Sequence, residues 1–141
     1  MILDGRCHCS NLRIEFETAL EPTTLPLRAC QCFFCRSHGA VSTSDPDGGL
    51  NVGVRERDLV SPYRFGLGIT DFLICRRCGV YVLALAEMDG AHYAVLNVNA
   101  LERRIEMAGP IQPMDYDAES VDTRRARRKA RWTPVRRFTG F

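Results

Sequence analysis

The sequence of 141 residues has no long hydrophobic run. Its longest apolar stretch, residues 80–86, is far shorter than the roughly 20 residues that a membrane-spanning helix needs. The N-terminal segment lacks the basic start and apolar centre of a secretory signal, and no internal repeat or low-complexity linker divides the chain. These absences argue against a helical membrane protein and predict one cytoplasmic domain covering residues 1–141.

The sequence has no acidic residue beyond Arg124. All 17 acidic residues precede Arg124, whereas eight of the 19 basic residues lie from Arg124 onward. The first 123 residues, with 11 basic residues, therefore carry a net charge of −6, and the last 18 carry +8. The basic C-terminal segment, at about residues 118–141, could bind nucleic-acid phosphates or pair with the acidic body. We favour pairing, because no nucleic-acid-binding motif accompanies the charge.

Cysteine is abundant, and its spacing indicates metal ligands. The chain has seven cysteines, an odd number that internal disulfides cannot use completely. Close Cys-x-Cys and Cys-x-x-Cys pairs can turn two sulfurs toward one ion. Zinc is the first candidate, because it favours thiolates and takes four ligands in a tetrahedron. A reducing cytoplasm would keep these thiols available.

The seven cysteines divide into a group of four and a group of three. Two pairs can close a structural zinc site, formed by Cys7, Cys9, Cys75 and Cys78. The other three predict a catalytic zinc site with an open fourth position, at Cys30, Cys32 and Cys35. An alternative for the second site is that His38, three residues after Cys35, closes it as the fourth ligand.

Other side chains near the second group suggest contacts with a ligand. Arg36 and Arg28 could bind carboxylates through paired hydrogen bonds, or could be solvated surface arginines. Phe33 and Phe34 would form a wall of the site or fill the core. Tyr63 could donate a hydrogen bond in the pocket, although a tyrosine in a strand more often only packs.

The distribution of apolar residues predicts a mainly β fold. Residues 11–17 alternate between apolar and charged side chains, which is the period of a half-buried strand. Residues 80–86 and 92–98 are the strongest further strands, and the turn pair Asp89-Gly90 lies between them. The one convincing helix covers residues 119–132, with Ser120 or Asp117 as its N-cap.

The three cysteine groups, in this order, are similar to those of a known family. Gly5-x-Cys7-x-Cys9, Cys30-x-Cys32-x-x-Cys35-Arg36 and Cys75-x-x-Cys78-Gly79 resemble the glutathione-dependent formaldehyde-activating enzyme family, also named for centromere protein V. The resemblance covers about residues 5–101. It implies an Mss4-like fold of coiled antiparallel β-sheets, with zinc knuckles, a short C-terminal helix and two zinc ions held by the four and the three cysteines.

The resemblance also implies a function. The protein would be a carbon–sulfur lyase of the S-hydroxymethylglutathione synthase type. Its substrates would be glutathione, or another small thiol, and formaldehyde or a similar small electrophile. Cys30, Cys32 and Cys35 would then hold the catalytic zinc, and Arg36 would bind glutathione. The alternative is a non-catalytic zinc module that binds glutathione, protein or nucleic acid.

Overall fold

The fold was derived from a computed structural model, which describes residues 1–140. The last residue of the predicted domain, Phe141, lies outside the described residues. The strands are β1 (Ile2–Arg6), β2 (Leu12–Glu17), β3 (Leu27–Cys30), β4 (Ser42–Thr43), β5 (Gly49–Val54), β6 (Val60–Tyr63), β7 (Asp71–Cys75), β8 (Tyr81–Met88), β9 (Ala91–Asn97), β10 (Ile111–Met114) and β11 (Thr133–Thr139). The helices are α1 (Phe33–Ser37) and α2 (Val121–Arg131), and the short 3-10 turns are Arg57–Leu59, Val98–Ala100 and Arg104–Glu106.

The strands form one continuous, branched sheet, and the prediction of a mainly β chain is confirmed. Its main path runs β1-β2-β5-β11-β9-β4-β3-β10, and β8, β7 and β6 extend from the other edge of β9. Two pairs are parallel, β5 with β11 and β3 with β10. The resemblance implies antiparallel sheets, whereas the sheet of this chain is mixed, with the other strand pairs antiparallel. Parallel pairing needs a long crossover, and the many residues between the paired strands provide one.

The hairpin of β8 and β9 forms as the sequence predicts. Met88 pairs directly with Ala91, so Asp89 and Gly90 alone make the turn. Both turn residues have positive φ angles, 54° and 80°, which is the conformation that a two-residue hairpin turn of this type requires. The hairpin brings β8 into the centre of the molecule, where it contacts both parts of the hydrophobic core.

Helix α2 begins directly after Ser120, which is one of its two predicted N-caps. The Ser120 hydroxyl accepts a hydrogen bond from the Thr123 N–H at 3.1 Å, which satisfies one of the unpaired donors of the first turn. Glu119 and Trp132, which the prediction included in the helix, flank it instead. The chain then continues as β11, which pairs with β5 and β9. The basic C-terminal segment is therefore an integral part of the sheet.

The core has two neighbouring clusters of buried side chains, and β8 contributes to both. Leu83 and Leu85 belong to the larger cluster, whereas Tyr81 and Ala84 belong to the smaller one, together with Trp132. Because β8 is buried on both faces, it carries apolar side chains on both, and residues 80–86 are therefore continuously apolar. Among the described residues, no helix has the length and apolar character needed to cross a membrane.

Candidate metal centres

The four-cysteine site joins two turns that are distant from each other in the sequence. Cys7 and Cys9 lie in the connection after β1, and Cys75 ends β7. Cys78 follows two residues later, before Gly79, whose φ of 79° suits a residue without a side chain. The Leu12 N–H donates a hydrogen bond to the Cys7 sulfur at 3.3 Å, as backbone amides commonly do for thiolates.

The spacing of the four sulfurs fits a tetrahedral metal ion. The Sγ of Cys9 lies 3.8 Å from that of Cys7 and 3.5 Å from that of Cys75. All four sulfurs lie within 4.8 Å of one another, and the cysteines are free thiols. A zinc ion with Zn–S bonds of about 2.3 Å requires sulfurs about 3.8 Å apart. The predicted group of four is therefore assembled, and it could hold a metal ion.

The protonation states of these thiols indicate that a cation would bind with proton release. Burial raises the pKa of Cys7 to about 12 and also raises the pKa of Cys75. Burial acts in the same direction on Cys78, but backbone hydrogen bonds from Cys9 and Val80 outweigh it and lower the pKa of Cys78 to about 6. Without a metal, Cys78 is thus a thiolate at neutral pH, whereas Cys7 and Cys75 must lose protons to become ligands.

The three-cysteine site lies at the junction of β3 and α1. Cys30 is the last residue of β3, Cys32 is the N-cap of α1, and Cys35 lies in the first turn of this helix. The Cys35 N–H donates to the Cys32 sulfur at 3.4 Å. The three sulfurs lie within 4.8 Å of one another and could also hold a metal ion. The predicted division into four and three is therefore the division that the fold makes.

The three thiols share their protons unequally. A hydrogen bond from the Cys35 thiol lowers the pKa of Cys30 to about 6, against its ordinary value of 9.0. The same hydrogen bond, together with burial, raises the pKa of Cys35. At neutral pH the metal-free site therefore carries a thiolate at Cys30 that accepts a hydrogen bond from Cys35.

His38 does not join the three sulfurs. It caps the far end of α1, and its exposed ring packs against Phe34 and Tyr81, with centroid distances of 4.6 Å and 5.6 Å. Among the described residues, the group of potential ligands at this site contains only the three cysteines. The alternative in which His38 closes the site therefore has no support in this geometry, and the fourth position remains available to a ligand.

A groove of about 760 Å³ opens beside the three thiols. Its walls include Phe34, Phe65 and Phe72, whose rings contact one another at centroid distances of 4.6–5.1 Å. Tyr63 stacks on the same group and Phe33 is 79% exposed. The predicted aromatic wall is therefore present, and it could exclude water from one side of a bound ligand.

The two candidate arginines lie on different sides of the site. Arg36 is exposed on the groove, with its guanidinium 6.0 Å from the ring centroid of Phe33. Arg28 faces a second, smaller cavity behind the thiols and donates a hydrogen bond to the hydroxyl of Ser44. Both arginines could therefore contact a ligand, but not in the same compartment.

Four of the eight basic residues of the C-terminal segment pair with acidic residues. Arg127 donates two hydrogen bonds to the Glu119 carboxylate, at 2.8 and 2.9 Å, and Arg124 approaches the same carboxylate at 3.4 Å. Lys129 pairs with Asp89 at 2.7 Å, and a further pair joins Arg136 and Glu17. These contacts agree with the favoured prediction of pairing.

Residues that the sequence did not single out also line the site. Tyr81, a buried member of the smaller core cluster, lines the cavity beside Cys30 and Cys35, and burial together with the charge of the thiol site raises its pKa. Tyr116, Arg127 and Arg128 come from the C-terminal part of the chain. Because these residues are far from Cys30 in the sequence, no local pattern predicts that they lie close to it. The only sequence feature that could have indicated a role for them was the group of arginines beside one tryptophan in the predicted helix.

Fold and thiol geometry together define the class: a mainly β protein with two cysteine clusters that could bind metal ions. No family model and no curated protein matches the chain. A structural-genomics protein from Rhodobacter sphaeroides, known from a crystal structure, is 29% identical, with a TM-score of 0.56. The match covers 79% of this chain and 99% of the Rhodobacter chain. It supports the fold and assigns no activity.

Proposed function

We propose that this protein is a zinc-dependent carbon–sulfur lyase of the S-hydroxymethylglutathione synthase type. It would act on glutathione and formaldehyde or a similar small electrophile. The observation that carries the proposal is that three convergent thiols, with no fourth protein ligand among the described residues, lie at the edge of a large groove. Catalytic zinc sites keep three protein ligands and one open position, whereas structural sites use four. An Mss4-like fold and membership of the formaldehyde-activating family are part of the same proposal, as is a cytoplasmic location.

The donor set of each cluster suits zinc, because zinc prefers thiolates in tetrahedral arrangement. In this proposal Cys7, Cys9, Cys75 and Cys78 hold a structural ion, and Cys30, Cys32 and Cys35 hold the catalytic one. When bound, zinc would lower the pKa of a substrate thiol or polarise a carbonyl oxygen. The reaction joins the thiol sulfur to the carbonyl carbon and transfers the thiol proton to the carbonyl oxygen. The lyase direction reverses both changes.

The chain's own residues orient the substrate and limit the access of water. Phe34, Phe65 and Phe72 form an apolar wall beside the thiols. Arg36, on the rim of the groove, is positioned for a carboxylate of glutathione. At the N-terminal end of α1, the Cys35 N–H donates to the Cys32 sulfur and would stabilise its negative charge.

A rate assay with matched variants tests the proposal. Thiols add to formaldehyde without a catalyst, so the rate is measured above the spontaneous background. We expect the zinc-loaded protein to accelerate the reaction and Cys35→Ser to abolish the acceleration. His38→Ala is the control and should keep both activity and zinc content, because His38 lies outside the sulfur group.

Two outcomes would contradict the proposed enzymatic function. Full activity in Cys35→Ser would show that the open site is not the reaction centre. Binding of glutathione without any acceleration would instead identify a non-catalytic zinc module, which is the alternative function. Deleting residues 124–137 is not a clean test of nucleic-acid binding, since it removes Trp132 and much of β11 from the core and the sheet.

A further inference from the structure

A small cavity behind the three thiols has an unusual charge distribution. Its volume is about 80 Å³, and Cys30 and Cys35 form part of its wall. The charged side chains that line it are Arg28, Arg127 and Arg128, and its described lining includes no aspartate or glutamate. A cavity beside the reactive thiols therefore concentrates positive charge.

Arg128 is a buried cation without a carboxylate partner among the described residues. Its residue surface is only 7% exposed, and its guanidinium lies 4.5 Å from the ring centroid of Trp132. One nitrogen, Nη1, donates to the hydroxyl of Thr70 at 2.5 Å, whereas Nε has no hydrogen-bond partner within residues 1–140. None of the ion pairs of the described chain includes Arg128. An unpaired buried charge is destabilising unless a counter-ion compensates it.

Arg28 adds a second uncompensated cation to the same cavity. Its described side-chain partner is a neutral group, the hydroxyl of Ser44. Arg127 differs, because the Glu119 carboxylate already accepts two hydrogen bonds from it and supplies an opposite charge. The cavity therefore has two guanidinium groups that lack a carboxylate from the described residues.

The charge of the thiol site does not balance these two arginines. Three thiolates around a divalent zinc carry a net charge of −1, whereas Arg28 and Arg128 together carry +2. One positive charge remains, which the carboxylate of a ligand with an un-ionised sulfur, such as a thiol adduct, would neutralise. Because a water molecule needs only about 10–15 Å³ of such a cavity, 80 Å³ accommodates a carboxylate group.

We propose that Arg28 and Arg128 form a carboxylate-binding site and that the ligand of the three-thiol site carries a carboxylate into this cavity. Guanidinium groups bind carboxylates through paired, charge-assisted hydrogen bonds. The ligand is thus an anionic thiol or thiol adduct, which binds with its carboxylate in the cavity and its sulfur toward the three cysteines. This assignment of the ligand rests on the proposed function, whereas the carboxylate site itself does not.

Two pairs of probes test the site in the zinc-loaded protein. The first pair is 3-mercaptopropanoate and its uncharged amide, which differ in charge but little in shape. The second pair, propanoate and propanamide, lacks sulfur. Isothermal titration calorimetry gives the affinities, and fluorescence of Trp132, the only tryptophan, reports occupancy next to Arg128. We expect each carboxylate to bind at least about tenfold more tightly than its amide, as for hydrogen bonds to charged groups.

Variants identify which arginines produce the preference for carboxylates over amides. Arg28→Gln and Arg128→Gln should each reduce the preference to within about twofold. Arg125→Gln, on the exposed side of the same helix and outside the cavity lining, should leave it unchanged. If Arg128→Gln fails to fold, Arg28→Gln alone decides, because Arg28 is only partly buried.

Equal affinity for the carboxylates and their amides in the unsubstituted protein would overturn the proposed carboxylate site. A preference for carboxylates that is retained in Arg28→Gln would overturn it as well. Failure of the proposed function looks different: propanoate still binds in an Arg28-dependent manner, but no thiol reaction is accelerated. In that case the carboxylate site stands without the lyase.

Discussion

The two cysteine clusters use the same ligand atom in different surroundings. In the four-cysteine cluster, Cys7 and Cys75 have no exposed surface, and the sulfurs connect two turns that are distant in sequence. In the three-cysteine cluster, all sulfurs come from one short segment at the start of α1, beside an open groove. In the proposed function, ligand number and access, and not ligand type, distinguish the structural site from the reactive one.

The strongest way to separate the clusters is to remove one ligand from each. We expect Cys7→Ser to lose the fold, because a structural zinc contributes about 10–16 kcal/mol, as much as the whole net stability of about 5–15 kcal/mol. Cys35→Ser should lose one zinc but keep its β-sheet signal. Circular dichroism and native mass spectrometry measure both. A folded Cys7→Ser protein with one zinc would show that the clamp is dispensable.

Metal removal should occur in two stages. A chelator of moderate strength should first take one zinc ion from the exposed three-thiolate site without unfolding the protein. The second ion should leave only with the loss of structure, since four ligands and burial hold it. Stopped-flow measurements of zinc release, with Cys35→Ser as the control that lacks the first stage, test this order. Simultaneous release of both ions with unfolding would contradict it.

Acidity should reveal a thiolate at the three-thiol site after the first stage of metal removal, when this site has lost its ion and the fold is retained. Cys30 has a pKa lowered to about 6, so it is a thiolate above that pH and becomes protonated below it. The ultraviolet absorbance of thiolate should therefore rise near pH 6, and Cys30→Ser should remove this change. A rise only near the ordinary thiol value of 9.0 would refute the prediction.

The smallest expected effect concerns the helix that carries Arg128. Ser120→Ala removes the N-cap hydrogen bond of α2 and should reduce the free energy of unfolding by about 1 kcal/mol. The melting temperature should fall by about 2–4 °C, with both zinc ions retained. Thermal unfolding measured by calorimetry tests this change. A loss of zinc in this variant would mean that α2 supports the metal sites more directly than its contacts indicate.

The local elements of the fold were predictable because their signals lie within a few residues. Alternating side chains identified β2, the pair Asp89-Gly90 identified the hairpin of β8 and β9, and Ser120 marked the start of α2. Helix α1 was missed, because five residues with two phenylalanines and a cysteine have no helical period to detect. Strand β11 was missed as well, since Pro134 and the arginines 136 and 137 make a poor strand pattern, and its pairing with β5 and β9 decides its conformation.

By itself, the sequence determined the three local sets of cysteine ligands, since cysteines two or three residues apart can bind one ion without any long-range folding. It also determined that the chain is mainly β. Only the tertiary structure decided that the pairs at Cys7 and Cys75 meet, that His38 turns away from the thiols, and that Arg128 lies behind them. The physical reason is that these contacts join segments tens of residues apart. Their formation depends on strand pairing and core packing, which no local pattern encodes.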